Sequence, residues 1–348
     1  MSDIPPGRRA AIRLGGITLA GAAALAGVAG TAGAAPNPTG AGNQACTWAA
    51  QVLPTVPTTT GYAWGGVAGT DGDRTFAGNS NGHAVLWRDG RLIDLGVGEA
   101  ADVNGGGDAV GYQFDSSAYS HAILFRAGTA IRLAEPANVH ATRATGINED
   151  GLIVGTGDIN GDTMGTSHAL VWSASTPGRV TDLGTLDGDE ANATSLVGVN
   201  EDGTLIGNVV NQNTLALTAV TGTVTGGLRV LPGSTPGAST VASIAGRYSV
   251  GAQYNGGGNH AVRWRKGRAQ LLPGDADAHG VNSQGTVVGQ RADFSTGVVW
   301  TGVGDPVDLP IPAGDNSATA TMITDHGTVG GEAFTAASEL QPVLWSCH

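Results

Sequence analysis

A seven-bladed β-propeller made of four-stranded blades is the all-β fold this sequence predicts, and three observations predict it. A unit of four short strand-like segments recurs along the chain. Where the recurrence is clear its period is a little over ~40 residues, the length of one propeller blade. The last copy lacks a fourth strand, and the N-terminal region carries a strand with no unit of its own.

The clearest unit reads "ATGINEDGLIVG" (144–155), a variable stretch, "SHALVW" (167–172), a turn and "RVTDLG" (179–184). The same order returns as "VNGGGDAVG" (103–111), "SHAILF" (120–125) and "AIRLA" (130–134), and as "GVNSQGTVVG" (280–289), "TGVVW" (296–300) and "PVDLP" (306–310). "GHAVLW" (82–87) with "LIDLG" (92–96), and "NHAVRW" (259–264) with "AQLLP" (269–273), mark two more. "VGVNEDGTLIG" (197–207) with "LRVLP" (228–232) is a weaker copy, and "MITDHGTVGG" (322–331) with "QPVLW" (341–345) opens a seventh. Within each unit Val and Ile alternate with small residues, and Asn-Glu-Asp-Gly or Asn-Ser-Gln-Gly between the first two segments is a tight hairpin signal. One such sheet cannot cover both of its faces, whereas a closed ring of sheets covers them all and removes nearly every exposed edge. An open solenoid of the same units is the alternative, and it would want polar caps that the sequence lacks.

The missing fourth strand lies at the other end of the chain. "AQVLPTVP" (50–57) resembles "AQLLPGDA" (269–276) and "LRVLPGST" (228–235), so it should dock beside "PVLW" and complete the seventh blade. Alignment on the first unit then puts Cys347 at the position of Asp89 and Cys46 at that of Arg88, where other blades have a covalent hairpin turn. These are the only two cysteines, and a disulfide between them would replace that turn. Tying ends about 300 residues apart contributes at most roughly 5–6 kcal/mol in the chain-entropy model.

The "HAVLW", "HAILF" and "HALVW" strands, the "DLG" endings and the "GIN…G…VVG" openings resemble the bacterial HAF-repeat proteins, named for a His-Ala-Phe signature. The resemblance covers most of residues 62–345 and implies an extracellular, propeller-like protein without a settled activity. "LALTAV", "TGVVW" and "QPVLW" depart from the signature by lacking the histidine.

The first residues read as an export signal. Arg8, Arg9 and Arg13 form a positive n-region, "ITLAGAAALAGVAG" (17–30) an apolar h-region, and Ala32-Gly33-Ala34 a cleavage site. The expected organisation is a secretory signal over 1–34, a flexible leader over 35–45 and a single propeller over 46–348. The paired arginines leave general and twin-arginine export both open. Removing residues 1–34 takes away three arginines and Asp3, moving the net charge from −12 to −14. Such a balance opposes binding to nucleic acid or anionic membranes, and no segment is long and apolar enough to span a bilayer. The expected product is a secreted monomer.

Candidate sites follow from the loops. His83, His121, His168 and His260 repeat at one position and read as ties between a strand and a neighbouring turn, because a catalytic histidine needs a unique partner. The loops joining strand two to three and strand four to the next blade share one face, vary in length and are acidic. They are read as carrying Glu99 and Asp102, His140 with Arg143, Asp187, Asp189 and Glu190, Asp275, Asp277 and His279, and Asp315. His140 and His279 with carboxylates would suit a transition metal. Asp158, Asn160 and Asp162 in "DINGDTMG" alternate like the first half of a calcium loop, without the later acidic ligand. Neither a G-x-S-x-G elbow, a phosphate loop, H-E-x-x-H nor paired zinc cysteines occur. The sequence therefore points to a non-catalytic binding or scaffolding propeller that presents an acidic face to a protein, a glycan or a divalent cation such as Ca2+. An extracellular polysaccharide hydrolase or lyase using carboxylates at the channel mouth is the alternative.

Overall fold

The computed structural model describes residues 47–58, 63–159, 166–256, 258–302 and 304–348. The chain divides into two units, Met1–Thr47 and Trp48–His348. Only Thr47 of the first is described, so the expected signal peptide and leader lie outside the described residues.

The second unit is a seven-bladed propeller of four-stranded antiparallel sheets. After β1 (Trp48–Val52), blade 1 holds β2 (Gly65–Thr70), β3 (Thr75–Ser80), β4 (His83–Arg88) and β5 (Arg91–Val97). Blade 2 holds β6 (Glu99–Val103), β7 (Ala109–Phe114), β8 (Ser120–Arg126) and β9 (Thr129–Arg132). Blade 3 holds β10 (Val139–Ile147), β11 (Leu152–Ile159), β12 (Ser167–Ser173) and β13 (Val180–Gly184). Blade 4 holds β14 (Asn192–Val199), β15 (Leu205–Asn211), β16 (Leu217–Thr223) and β17 (Gly227–Val230). Blade 5 holds β18 (Ser239–Ala245), β19 (Tyr248–Tyr254), β20 (Asn259–Arg265) and β21 (Arg268–Leu271). Blade 6 holds β22 (Ala276–Val281), β23 (Val287–Arg291), β24 (Gly297–Trp300) and β25 (Val307–Asp308). Blade 7 holds β26 (Asp315–Ile323), β27 (Val329–Thr335) and β28 (Leu340–Cys347), and β1 completes it. The first strands touch one another in ring order, and β2 meets β26 to close the circle.

The recurrent Val-Gly of the second strand has a steric cause. A Cβ at Gly78, Gly111, Gly155, Gly207, Gly251, Gly289 or Gly331 would sit 1.7 to 2.4 Å from a first-strand carbonyl oxygen of the same blade. Beside that close approach every first strand bulges, leaving Ala68, Ala101, Thr145, Val197, Ala242, His279 and Thr321 without a partner in the ladder. A bulge bends its strand and re-aims its side chains. Here three of the bulged side chains reach the following blade: Thr145 Oγ1 donates to the Leu196 carbonyl at 2.9 Å, His279 Nδ1 to that of Ala320 at 3.1 Å, and Thr321 Oγ1 to that of Val67 at 2.6 Å. Those three acceptors each precede the next bulge, so one geometry is reused around the channel.

The aromatic at the end of the third strand packs between blades. Trp87, Trp172, Trp264, Trp300 and Trp345 are all buried. Four of the indoles donate Nε1–H to a carbonyl just past the fourth strand of the preceding blade, at Pro54, Ala134, Pro273 and Pro310. Burial of a large ring with its N–H satisfied combines apolar contact and directionality. Blade 4 has Gly222 at this position, and Leu183, Val224 and Leu228 pack against the cluster that Val154, Ala169 and Val171 of blade 3 form with Leu196 and Leu205 of blade 4.

The Asn of the first hairpin does more than favour a turn. Asn148 Oδ1 accepts from Leu152 N within its own turn at 2.9 Å, while its Nδ2 donates to the Asn200 carbonyl of the next blade at 3.1 Å. Asn104, Asn200 and Asn282 repeat the donation toward Asn148, Gly246 and Thr324. The turns between first and second strands thus form a polar relay on the face we call lower.

β1 pairs with β28 from Val52↔Val343 to Trp48↔Cys347, as the sequence repeat requires. Cys46 lies outside the described residues, so its expected disulfide with Cys347 is a prediction. Intact-mass measurement of the purified protein without reductant should give a mass about 2 Da below that of the reduced chain; two alkylatable thiols would refute the pairing. Asn148→Ala should lower stability by about 1–3 kcal/mol, because it leaves the Leu152 amide N–H without its acceptor and takes from the Asn200 carbonyl one of its two donors, the other being Gly203 N–H. Urea denaturation would read this as a lower midpoint with an unchanged slope.

Candidate functional site

The four repeated histidines are held within their own blades. His83 Nδ1 lies 2.9 Å from Asp94, and His168 Nδ1 lies 2.9 Å from Asp182. In both cases the acid comes from the "DLG" ending of the fourth strand, which explains why the two signatures travel together. His121 is bracketed by Glu135 at 2.8 Å and Asp115 at 3.1 Å, and His260 Nε2 meets Asn255 Oδ1 at 2.8 Å. The His121 contact and the amides of Tyr119 and Ser117 hold the Asp115 carboxyl below its ordinary range. At Asp94, burial works upward and is outweighed by hydrogen bonds from Gly96 N–H and His83, leaving the carboxyl below its ordinary range.

Several charged or titratable residues read from the sequence as loop residues lie instead in first strands. Glu99 and Asp102 belong to β6, His140 and Arg143 to β10, Asp277 and His279 to β22, and Asp315 begins β26. The first strands start earlier than hydrophobic alternation suggests, because near the channel they are held by hydrogen bonds and need not be apolar. Asp275 is exposed in the connection before β22. Asp187, Asp189 and Glu190 sit in the connection from blade 3 to blade 4, where Leu186–Gly188 forms a single 3-10 turn and Asp189 caps the Ala191 amide at 2.9 Å. Glu190 approaches His168 Nε2 at 3.5 Å. His140 is exposed, with its ring 6.3 Å from that of Tyr119, and Arg143 lies 4.7 Å over the Tyr112 ring. His140 and His279 occupy blades 3 and 6. Among the described residues, no three His, Cys, Asp or Glu side chains converge to hold a metal ion. Of the calcium-like loop, Asp158 ends near Ser167, whose hydroxyl donates to it at 2.7 Å; Asn160 and Asp162 lie outside the described residues.

Asp102 is set in the channel wall at the position where most blades have glycine. Its Oδ2 accepts from Ile147 N at 3.0 Å, and the amides of Val103 and Thr70 also donate to it. These three amides occupy equivalent positions in blades 3, 2 and 1, so one carboxyl links three blades. Burial pushes its pKa up to about 7, despite the three amides that favour the carboxylate; the nearby Glu201 adds to the rise. His279, bonded to the Ala320 carbonyl, is shifted the other way: burial lowers its pKa, against the pull of that carbonyl, Asp277 and Glu332. Both side chains are committed to holding the ring.

The upper face carries a feature that the sequence reading missed. Phe114, Tyr254 and Phe334 are exposed by 49, 54 and 38 %, and each stands three residues after the second-strand glycine of its blade. Phe294 and Tyr119 are exposed in the loops between second and third strands of blades 6 and 2. Trp64, at the entry to blade 1, is partly exposed and anchored through its amide to Asn81 Oδ1 at 2.8 Å. Blades 5, 6, 7, 1 and 2 are consecutive, so the aromatics form an arc along one rim. Their signal was present as "VGYQF", "VGAQY" and "VGGEAF", but the stronger aromatic period of the third strand overshadowed it.

No family model matches this sequence, and no curated protein does. Solved structures do. The β-propeller domain of the Trilobed protease from Pyrococcus furiosus, described as having an open velcro topology, superposes with a TM-score of 0.57 at 9 % identity, over 82 % of this chain and 97 % of that one. Streptogramin B lyase gives 0.57 at 12 %, over 86 % and 98 %. An acylaminoacyl peptidase gives 0.54 at 10 %, over 82 % of this chain and 52 % of that one. At these identities the likeness is one of fold, a fold shared by peptidases, lyases and binding proteins.

The raised pKa of Asp102 has a definite sign. Between pH ~4, where the unfolded carboxyl ionises, and about 7 the folded state retains the extra proton, so this group's contribution to stability declines as pH rises across that window. The melting temperature of the wild type minus that of Asp102→Asn should therefore fall from pH 4.5 to 7.5 and level off above. A constant difference would show that Asp102 titrates as an ordinary carboxyl.

Proposed function

We propose that this chain is a secreted, non-catalytic binding propeller that presents its upper rim to a macromolecular ligand, a protein or a glycan chain. The exposed aromatic arc on five consecutive blades carries this reading. Exposed aromatics cost solvation without stabilising the fold, and aromatic side chains are enriched where proteins contact partners. The carboxylates of the same face, among them Asp275 and Glu190, would supply hydrogen-bond acceptors around them. Export follows from the n-region, h-region and cleavage pattern of residues 1–34, and kinship with HAF-repeat proteins from the His-Ala-aromatic strands. The hydrolase or lyase reading needs a carboxyl free to exchange a proton with substrate. Asp102, whose pKa would suit such work, has its oxygens engaged by backbone amides.

Ligand capture by the purified protein tests this, using a glycan array and cross-linking to proteins of the surrounding medium. A ligand held by the wild type should be lost by at least tenfold in Phe114→Ala/Tyr254→Ala/Phe334→Ala, with a lowered melting temperature but a retained cooperative transition, because these side chains are about half exposed. Undiminished capture by the triple variant would remove the upper rim from consideration.

A further inference from the structure

Charge is distributed unevenly among the blades. Residues 203–274 contain no Asp or Glu, yet hold Arg229, Arg247, Arg263, Arg265, Lys266 and Arg268, in a chain whose net charge is −12. Lys266 is the only lysine. Blade 5 lies wholly within this stretch.

The fold gathers four of these cations on the lower edge of blade 5. Arg265 and Arg268 face each other in register across the β20–β21 turn, and Lys266 occupies the turn itself at φ 50°. Tyr248 pairs with Arg265 across β19 and β20, and its ring lies 5.4 Å from the Arg265 guanidinium. Arg247 immediately precedes Tyr248. All four cations are exposed, and none makes an ion pair among the described residues. Arg265, Lys266 and Arg268 line a shallow open cavity of about 470 Å3.

The other blades provide an internal control. The same turn in blade 1 reads Arg-Asp-Gly-Arg, and its Asp89 lies 3.7 Å from Arg74. In blade 2 it reads Arg-Ala-Gly-Thr, and Arg126 is paired with Asp108. Blade 5 alone has three cations around the glycine and no acid to offset them. Blade 1 also sets Arg88 opposite Arg91, but with Asp89 beside them; in blade 5 the turn residue is Lys266, a third like charge that adds to the repulsion within the hairpin.

We propose that the lower edge of blade 5 binds an anionic polysaccharide, a chain bearing sulfate or carboxylate groups. The cations are exposed and strung along an edge, with no enclosed cage for a single small anion; a polymer with repeated charges engages several of them together. The Arg265 guanidinium on Tyr248 is preorganised for such contacts. A flat anionic membrane or a DNA duplex fits poorly. Either would bring its charges against the carboxylates of the same face, which include Glu149 and Asp150 in blade 3, Glu201 and Asp202 in blade 4, and Asp325 in blade 7. A single glycan strand is narrow enough to follow one blade.

Heparin-agarose chromatography of the full chain, with heparin as the sulfated probe, tests the site. At 50 mM NaCl the wild type should be retained despite its acidic composition, and its affinity should fall at least tenfold by 300 mM NaCl as the charges are screened. Arg265→Gln/Lys266→Asn/Arg268→Gln should bind at least tenfold more weakly with an unchanged melting temperature, Asn being tolerated at the positive-φ turn position. Passage of the wild type in the flow-through would overturn the proposal, as would equal binding to neutral dextran or binding to a 20-base-pair DNA duplex as tight as to heparin. The upper-rim variant should keep its heparin affinity, which separates this site from the one proposed above.

Discussion

One steric constraint, repeated in every blade, underlies this ring. The second-strand glycine lets a first-strand carbonyl come closer than any Cβ would allow, and the first strand bulges beside it. That bulge directs Thr145, His279 and Thr321 at the carbonyls of the blade that follows. The indole-to-carbonyl bonds farther out and the Asn relay on the lower face fix the same relation at other radii. The boundary between blades 6 and 7 carries all three kinds of bond, and β1 on β28 makes the seventh blade whole so that every boundary has two complete partners.

How far the sequence revealed this varied with the physics of each part. Blade number and the origin of the missing strand were legible because hairpin turns and the third-strand aromatic are local and periodic. "AQVLPTVP" could be matched to other fourth strands without knowing anything of the ring. The starts of the first strands were not legible: residues such as Thr142 and Arg143 break the alternation that marks a half-buried strand, since their partners are hydrogen-bonding groups rather than a core. Asn148 was legible as a turn residue, and its donation to Asn200, 52 positions away, was not. Asp102 looked like one more acid of a loop; only the packing of three blades around it sets it apart. The aromatic arc was visible in principle, three residues after a glycine that the repeat had already located.

The two faces are specialised in different ways. The upper rim exposes aromatic rings next to carboxylates, while the lower face is tied together by its own turns and becomes basic only at blade 5. The histidines that name the resemblance belong to neither specialisation: bonded to Asp94, Asp182 and Glu135, they set the spacing of third and fourth strands. A signature can thus recur because it builds the scaffold, whereas the recognition chemistry appears where blades differ from one another.

Blade 4 shows how much difference the ring tolerates. It has Gly222 in place of the interblade tryptophan and no strand-three histidine, yet its boundary with blade 3 keeps an apolar cluster against which Leu183, Val224 and Leu228 pack. A closed circle of near-equivalent parts is redundant: six boundaries keep the geometry while the seventh changes. Such redundancy gives single blades licence to diverge in charge or surface without loss of shape, as the acid-free blade 5 has done.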